Sequence, residues 1–202
     1  ALGGDRHFRT VLEIATAPAP QALPEPRLEV EAAVDDLEAT FAWWQDELAD
    51  ATRYDTDRTA LRDVLDDWPV NLVAQRCAIT GVVVPMLHDR RVSVRSNTGT
   101  VLALLRFGMF ATARAQLDVF HGAVCATGRL DPSLPLPGSP LATADDAEPP
   151  GGWAAVTVPA AGSPSWLLLQ HFWYWRATRD DAFLAARWPF LEVLLKKPAR
   201  GP

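Results

Sequence analysis

The chain has 202 residues, about half of them apolar, and its 25 Asp and Glu against 19 Lys and Arg give a formal charge of −6. That size suits one or two domains of about 100–200 residues each. The acidic balance argues against nucleic acid or an anionic membrane as a partner, because Lys and Arg are what hold phosphate surfaces. No run reaches the roughly 18–20 apolar residues of a membrane span; the nearest, Trp166 to Trp175, is interrupted by Gln170 and His171.

The opening Ala-Leu-Gly-Gly-Asp-Arg has neither an initiator Met nor a signal-peptide pattern, so the expectation is a soluble protein whose natural start lies upstream. Residues 7–15 place Phe8, Thr10, Leu12 and Ile14 on one face at period two, which predicts a short N-terminal β-strand. A lone strand is not stable in water, so it should pair with another sheet or lie against a helical body. Four of the chain's 17 prolines fall in residues 18–26 and predict a stiff linker. The boundary is placed at 27/28, with residues 1–27 as the possible end of a preceding β-sandwich domain.

From Leu28 onward the period is helical. Val30, Val34, Leu37, Phe41, Trp44 and Leu48 form one apolar stripe. Asp57 is a suitable cap for a second helix carrying Leu61, Leu65, Trp68, Leu72 and Ile79, with a kink or break expected at Pro69. Val82 to Pro85 is a short apolar segment, and Asp89, Arg90 and Arg91 read as the polar tip of a turn. Asn97 or Thr98 would cap a third helix ending at Gly108. A fourth follows with Phe110, Ala113, Leu117, Phe120 and Val124. Ser163-Pro164 is a good start for a fifth, and an Arg179-Asp180 turn leads to a sixth with Phe183, Leu184, Trp188, Leu191 and Leu195, interrupted by Pro189.

The third and fifth helices are apolar nearly all round, which predicts burial on every side, whereas the fourth and sixth are amphipathic. A buried helix paired with an outer one, repeated, is an α/α-hairpin array. Between them, residues 127–164 are rich in Pro and Gly. Such long connections tend to be functional or disordered, and Ala155 to Val158 is strand-like.

The stretch VPMLHDRRVSVRSNTGTVLALLRFGMFATARAQLDVF, residues 84–120, resembles a segment of six-hairpin glycosidases, the (α/α)6 barrel glycoside hydrolases. There a Pro-containing loop runs into a (V/W)RD motif, an inner helix, a Gly and an outer helix. Residues 163–195 are similar to another hairpin of those barrels, with a PSW start, an aromatic helix, a short turn and a (W/Y)P-x-L helix. The resemblance implies an all-α, toroid-like array over residues 28–202. Twelve helices of about 10–14 residues with connections of about 2–8 exceed this length, so about half a barrel is expected. The expected function is part of a carbohydrate-active glycoside hydrolase working by paired carboxylates; the alternative is a non-catalytic helical binding or scaffold domain.

Two positions depart from the family pattern. Ser96 stands where the motif has Asp, and Ala160, Ala161 and Gly162 stand where relatives often carry Glu before PSW. These 202 residues are therefore expected to be inactive alone. Glycoside hydrolysis needs an acid and a second carboxylate roughly 5–9.5 Å apart. Asp131, Asp145, Asp146 and Glu148 are the loop acids. Glu148, flanked by Pro149, Pro150 and Trp153, is the candidate general acid, because apolar surroundings would raise its pKa; the competing reading is a solvated acidic loop.

Arg95, Asn97, Trp153 and Trp166 are the candidate sugar-binding residues. Arg95 could hydrogen-bond hydroxyls, and the indoles could offer flat faces, with Trp166 in a helix's first turn the best placed. Trp173 and Trp175 are read as core, and His171 as a hydrogen-bonded core histidine. His7, His88, His121 and His171 are scattered, and Cys77 and Cys125 read as free buried thiols, so no metal site and no cofactor is expected. Half a toroid leaves inner apolar faces uncovered, which predicts self-association or completion by a missing C-terminal half.

Overall fold

The structure is a computed structural model that describes residues 30–77, 80–84, 91–135, 147–158 and 163–196. The expected strand at 7–15 and linker at 18–26 lie outside the described residues. Among those described, the protein is mostly helical, with six α-helices and one two-stranded sheet. Among the described residues no helix is long and apolar enough to cross a membrane. The chain divides into two units, Ala1–Ala49 and Asp50–Pro202.

In the first unit, α1 (Val30–Glu47) forms as its four-three spacing predicts. Its stripe is poorly covered: Leu37 and Phe41 are exposed, and Trp44 and Leu48 are half-buried.

In the second unit, α2 spans Thr59–Ala74. Asp57 does not cap it. The residue before the helix is Arg58, whose side chain makes no cap bond, and its own N–H is taken by the Thr56 hydroxyl at 3.3 Å. The helix runs through Pro69 without a break, and Pro69, Leu72 and Val73 are its buried residues. It ends before Ile79 because the chain doubles back: Cys77 N–H donates to Val82 O at 2.8 Å and Val84 N–H to Gln75 O at 3.0 Å. This turn buries Val82, Val83 and Val84.

Strand β1 (Arg91–Ser93) pairs antiparallel with β2 (Ser133–Pro135), Val92 opposite Leu134. Arg91 is therefore a strand residue and not a turn tip; its guanidinium donates to Ser133 O at 2.8 Å and to Ser133 Oγ at 3.1 Å. Helix α3 (Val94–Arg106) starts directly after β1 because the Ser93 hydroxyl accepts from Ser96 N–H at 3.2 Å. That cap precedes the expected one by four residues and places Asn97 inside the helix rather than at its end. Gly108, at φ 74°, closes the helix as expected, and α4 (Phe110–Thr127) follows, ended by left-handed Gly128. After β2, Trp153–Ala155 is a single 3₁₀ turn, and the strand-like segment from Ala155 to Val158 is reduced to one isolated bridge, Thr157 with Arg129. Helices α5 (Ser163–Thr178) and α6 (Asp181–Lys196) complete the described chain, joined by the expected Arg179-Asp180 turn; α6 continues through Pro189.

The core lies among α3–α6. Phe120, Val124, Leu167, Phe190 and Leu194 are almost wholly buried, and Val92 and Leu134 of the sheet join the same cluster. Two antiparallel hairpins, α3/α4 and α5/α6, stand side by side in a regular register. Helices α3 and α5 begin at Val94 and Ser163, 69 residues apart. The same spacing separates three side-chain pairs between α4 and α6: Arg114 over Phe183, Asp118 with Arg187, and His121 against Phe190. A constant offset means that α4 and α6 run parallel, and hence α3 and α5 do too.

Candidate functional site

Burial along α3 and α5 separates two faces. The α3 residues turned inward are Val94, Asn97, Thr98, Val101 and Leu104, spaced three and four apart as one helical face requires. Those of α5 are Ser163, Pro164, Leu167, Gln170, His171 and Tyr174. The opposite faces are open. Arg95, Ser96, Gly99, Leu102 and Arg106 are exposed on α3, as are Trp166, Phe172 and Arg176 on α5. The expectation that these helices are buried on every side is thus corrected. Helices α4 and α6 cover only one flank, and Leu102, Trp166 and Phe172 remain 36%, 38% and 47% exposed.

Behind the open face lies a polar network. Gln170 Nε2 donates to Val94 O and to Thr98 Oγ1, both at 2.8 Å. Asn97 Nδ2 donates to Gln170 Oε1 at 3.0 Å and to Gln116 O at 3.3 Å. Gln116 Nε2 donates to Val83 O at 2.9 Å, tying the α2 turn to α4. Buried amides demand such partners, since an unmade bond costs more than a made one returns. Asn97 is therefore a core amide, 2% exposed, and not the solvent-facing sugar ligand that a capping position would have made it.

A second assembly locks the two hairpins. Arg187 is fully buried and donates from Nε and Nη2 to Asp118 Oδ1 at 3.1 and 2.8 Å. Arg114 lies 3.6 Å from Asp118 and 3.6 Å from Asp180, and Asp180 in turn accepts from Phe183 N–H at the start of α6. The Phe183 ring meets the guanidiniums of Arg114 and Arg187 at 4.8 and 5.2 Å and is stacked with His171 at 6.0 Å. Leu167 O accepts from His171 Nδ1–H at 2.8 Å. Burial lowers the His171 pKa to about 4, so the ring is neutral at pH 7, with the proton on Nδ1.

Sequence reasoning missed this charge ladder. One signal was available: Arg187 falls in phase with Phe183, Phe190 and Leu194, the buried positions of α6, so an arginine at a core position calls for a buried carboxylate. Nothing in the sequence pairs it with Asp118.

The remaining expected site residues are dispersed. Glu148 is exposed rather than desolvated, while Pro149 beside it is buried; the turn closed by Gly152 N–H on Pro149 O at 2.9 Å points the proline inward instead. Asp131 is held by Arg129 at 2.8 Å, and Asp145 and Asp146 lie outside the described residues. Trp153 is half-buried against His121 and Phe190, with centroids 5.5 and 6.0 Å away, so it roofs the core rather than lining the open face. Trp175 donates to Asp181 Oδ1 at 2.7 Å and carries Arg179 on its ring. Both cysteines are free, as expected, but half-buried rather than fully buried. Desolvation raises the Cys125 pKa, which keeps that thiol protonated.

No protein-family model matches the sequence, and no curated protein and no solved structure matches it. What the geometry offers is a face. Arg95 and Trp166 sit exposed in the first turns of two parallel, adjacent helices, neither of which contains a single carboxylate. Among the described residues no group of three or more His, Cys, Asp or Glu is arranged to hold a metal ion.

Proposed function

We propose that the chain is part of a carbohydrate-binding α/α-hairpin array of the six-hairpin glycosidase type, about half of an (α/α)6 toroid, with its sugar site at the Arg95 and Trp166 end of the open face. The observation that carries the reading is the two-layer repeat. Two hairpins follow one another at a 69-residue offset, with α3 and α5 parallel in one layer and α4 and α6 parallel in the other. Continued around a circle, that relation makes a toroid whose inner helices present their open faces to the centre.

Arg95 supplies a planar fork of donors that suits vicinal hydroxyls, and Trp166 an exposed indole face with an N–H at its edge. The same face lacks what hydrolysis requires. Neither α3 nor α5 carries an acid, and an exposed Glu148 cannot both protonate a leaving oxygen and activate water on the opposite side. This favours binding without cleavage by these residues alone.

The test is titration of the chain with a panel of mono- and oligosaccharides, beside assays with nitrophenyl glycosides. Binding weakened at least ten-fold by Arg95→Ala, with the helical circular dichroism unchanged, and no turnover, is the expected result. Absence of binding across the panel overturns the carbohydrate reading. Turnover abolished by Glu148→Gln overturns the non-hydrolytic one.

A further inference from the structure

We infer that the sugar site continues along α5 to a second aromatic station at Trp173, so that its ligand is an oligosaccharide lying along the helices rather than a single sugar. The inference rests on the carbohydrate reading above and narrows it to a substrate class. Trp173, expected from the sequence to be core, is half-buried. It belongs neither to the core cluster nor to the partly buried residues packed against that cluster.

Helix phase gives its place instead. Gln170, bonded to Val94 O and Thr98 Oγ1, marks the side of α5 turned toward α3. His171 lies about 100° round from Gln170 in one direction at 3.6 residues per turn, toward its stacking partner Phe183 of α6. Trp166 and Trp173 lie about 40° and 60° round in the other direction. The two indoles therefore share one strip of α5, on the side away from the outer layer. Helix α3 is arranged in the same way. From Val94, Asn97 turns about 60° one way, toward Gln116 of α4, whereas Leu102 and Arg95 lie about 80° and 100° the other way. Both sets flank the open side of the α3/α5 seam. Seven residues separate Trp166 from Trp173, and Arg95 from Leu102, which is two turns or about 10 Å. The Arg95 and Trp166 station is thus followed, two turns on, by Leu102 and Trp173.

A sugar held by Arg95 and Trp166 lies at the first station, and the second is reached by the next residues of a ligand that extends along the seam. The stations differ in chemistry. Arg95 offers a fork of donors to hydroxyls, while Leu102, 36% exposed, and Trp173 offer apolar surface to the C–H face of a ring. Among the described residues neither Trp166 nor Trp173 donates its indole N–H to a protein acceptor, in contrast to Trp175, which donates to Asp181. An aromatic strip with open donors at its edge suits rings that carry both a C–H face and hydroxyls, because each indole has an apolar body and a polar handle.

Calorimetric titration of the full chain with paired ligands tests this: glucose against maltotriose and cellotriose, xylose against xylotriose, and mannose against mannotriose. For the sugar that binds, the trisaccharide should bind at least ten-fold more tightly than its monomer. Trp173→Ala should remove most of that gain, and Trp173→Phe, which keeps an aromatic face, should restore part of it, with folding followed by circular dichroism. The wild-type chain gives a readout that needs no truncated variant. Its Trp173 indole N–H resonance, assigned by its loss in Trp173→Phe, should move with the trisaccharide and not with the monomer, whereas that of Trp166 should move with both. Equal affinities for monomer and trisaccharide, or a gain that survives Trp173→Ala, overturn the inference and leave the Arg95 and Trp166 site standing. No binding by any of these ligands overturns the carbohydrate reading and the inference with it. A Trp173 resonance that shifts with protein concentration and not with sugar also overturns the inference, and gives the strip to a second copy of the chain.

Discussion

Helices α3–α6 and helices α1 and α2 are written in the same apolar periodicity, yet they end in opposite states of burial. In the first group Phe120, Leu167, Phe190 and Leu194 are sealed, and polar groups that enter the core, such as Gln170 and Arg187, arrive with partners. In the second group Leu37, Phe41, Leu61 and Trp68 of the stripes remain exposed, and burial is confined to the last turns of α2, at Pro69, Leu72 and Val73. A stripe states that a helix needs a partner; only the partner's sequence states whether one is supplied. The hairpin pair α3/α4 and α5/α6 supplies its own, in a register held by Arg114, Asp118 and Arg187. The acidic helices do not, and their exposed apolar residues mark a surface available for association.

If that contrast is real, truncating a sealed ring and an uncovered one should give very different results. Phe190→Ala removes a ring packed on His121, Trp153 and His171 and should cost about 3–5 kcal/mol. Phe41→Ala, on the uncovered stripe, should stay within about 0.5 kcal/mol under conditions where the chain is monomeric. Asp118→Ala belongs with the larger class, since it leaves the Arg187 guanidinium buried without this carboxylate, a loss of about 3–5 kcal/mol. Urea denaturation of the three variants checks the ranking. Equal losses for Phe190→Ala and Phe41→Ala would erase the distinction between the regions.

The core of the hairpin pair should also carry a pH signature. His171 binds its proton with a pKa of about 4 in the folded chain, against 6.5 for an unperturbed histidine side chain. Between those values the unfolded state holds more protons than the folded one, so stability rises with pH across the interval. The contribution is complete above about pH 6.5, falls as the pH drops toward 4, and levels off below. Fully expressed, the difference amounts to about 3 kcal/mol. Thermal melts between pH 7 and pH 4.5 should show the decline, and His171→Leu should flatten it relative to wild type. A wild-type slope unchanged by that substitution would show that His171 is not the group responsible.

How far the fold was legible follows from the same contrast. Helix existence came through because apolar spacing and local breakers act within a few residues: Gly108, Ser163-Pro164 and the Arg179-Asp180 turn all fall where they were expected. The ends that failed were set by competition between neighbouring caps. Ser93 reached Ser96 before Asn97 could act, and Thr56 took the Arg58 N–H while Asp57 capped nothing. Sheet pairing was invisible, because Val92 meets Leu134 across a separation of 42 residues. The candidate site was half legible. Trp166 is exposed near the start of α5 and Arg95 is exposed but inside α3 rather than ahead of it, whereas Asn97 entered the core once the helix began early, and Glu148 is exposed beside a buried Pro149. The Arg187–Asp118 link depends on tertiary register alone.

The smallest effects separate backbone geometry from packing at two glycines of the α3 region. Gly108 sits at φ 74°, where an L-residue is strained, and an added Cβ would lie 2.9 Å from Thr52 Oγ1 and 3.1 Å from Asp50 O. Gly108→Ala should therefore destabilise by about 1–2 kcal/mol from the left-handed conformation alone, with the backbone contact adding to it. Gly99 lies inside α3, on the open face, and a Cβ there meets nothing within 4 Å. Alanine loses less conformational freedom than glycine on entering a helix, so Gly99→Ala should stabilise by about 0.5–1 kcal/mol. The two substitutions are chemically identical and lie nine residues apart in the chain, so opposite signs in chemical denaturation can come only from the local backbone and its surroundings. A destabilising Gly99→Ala would mean that the space beside α3 is occupied in solution, and repeating the measurement across protein concentration would then tell whether the occupant is a second copy.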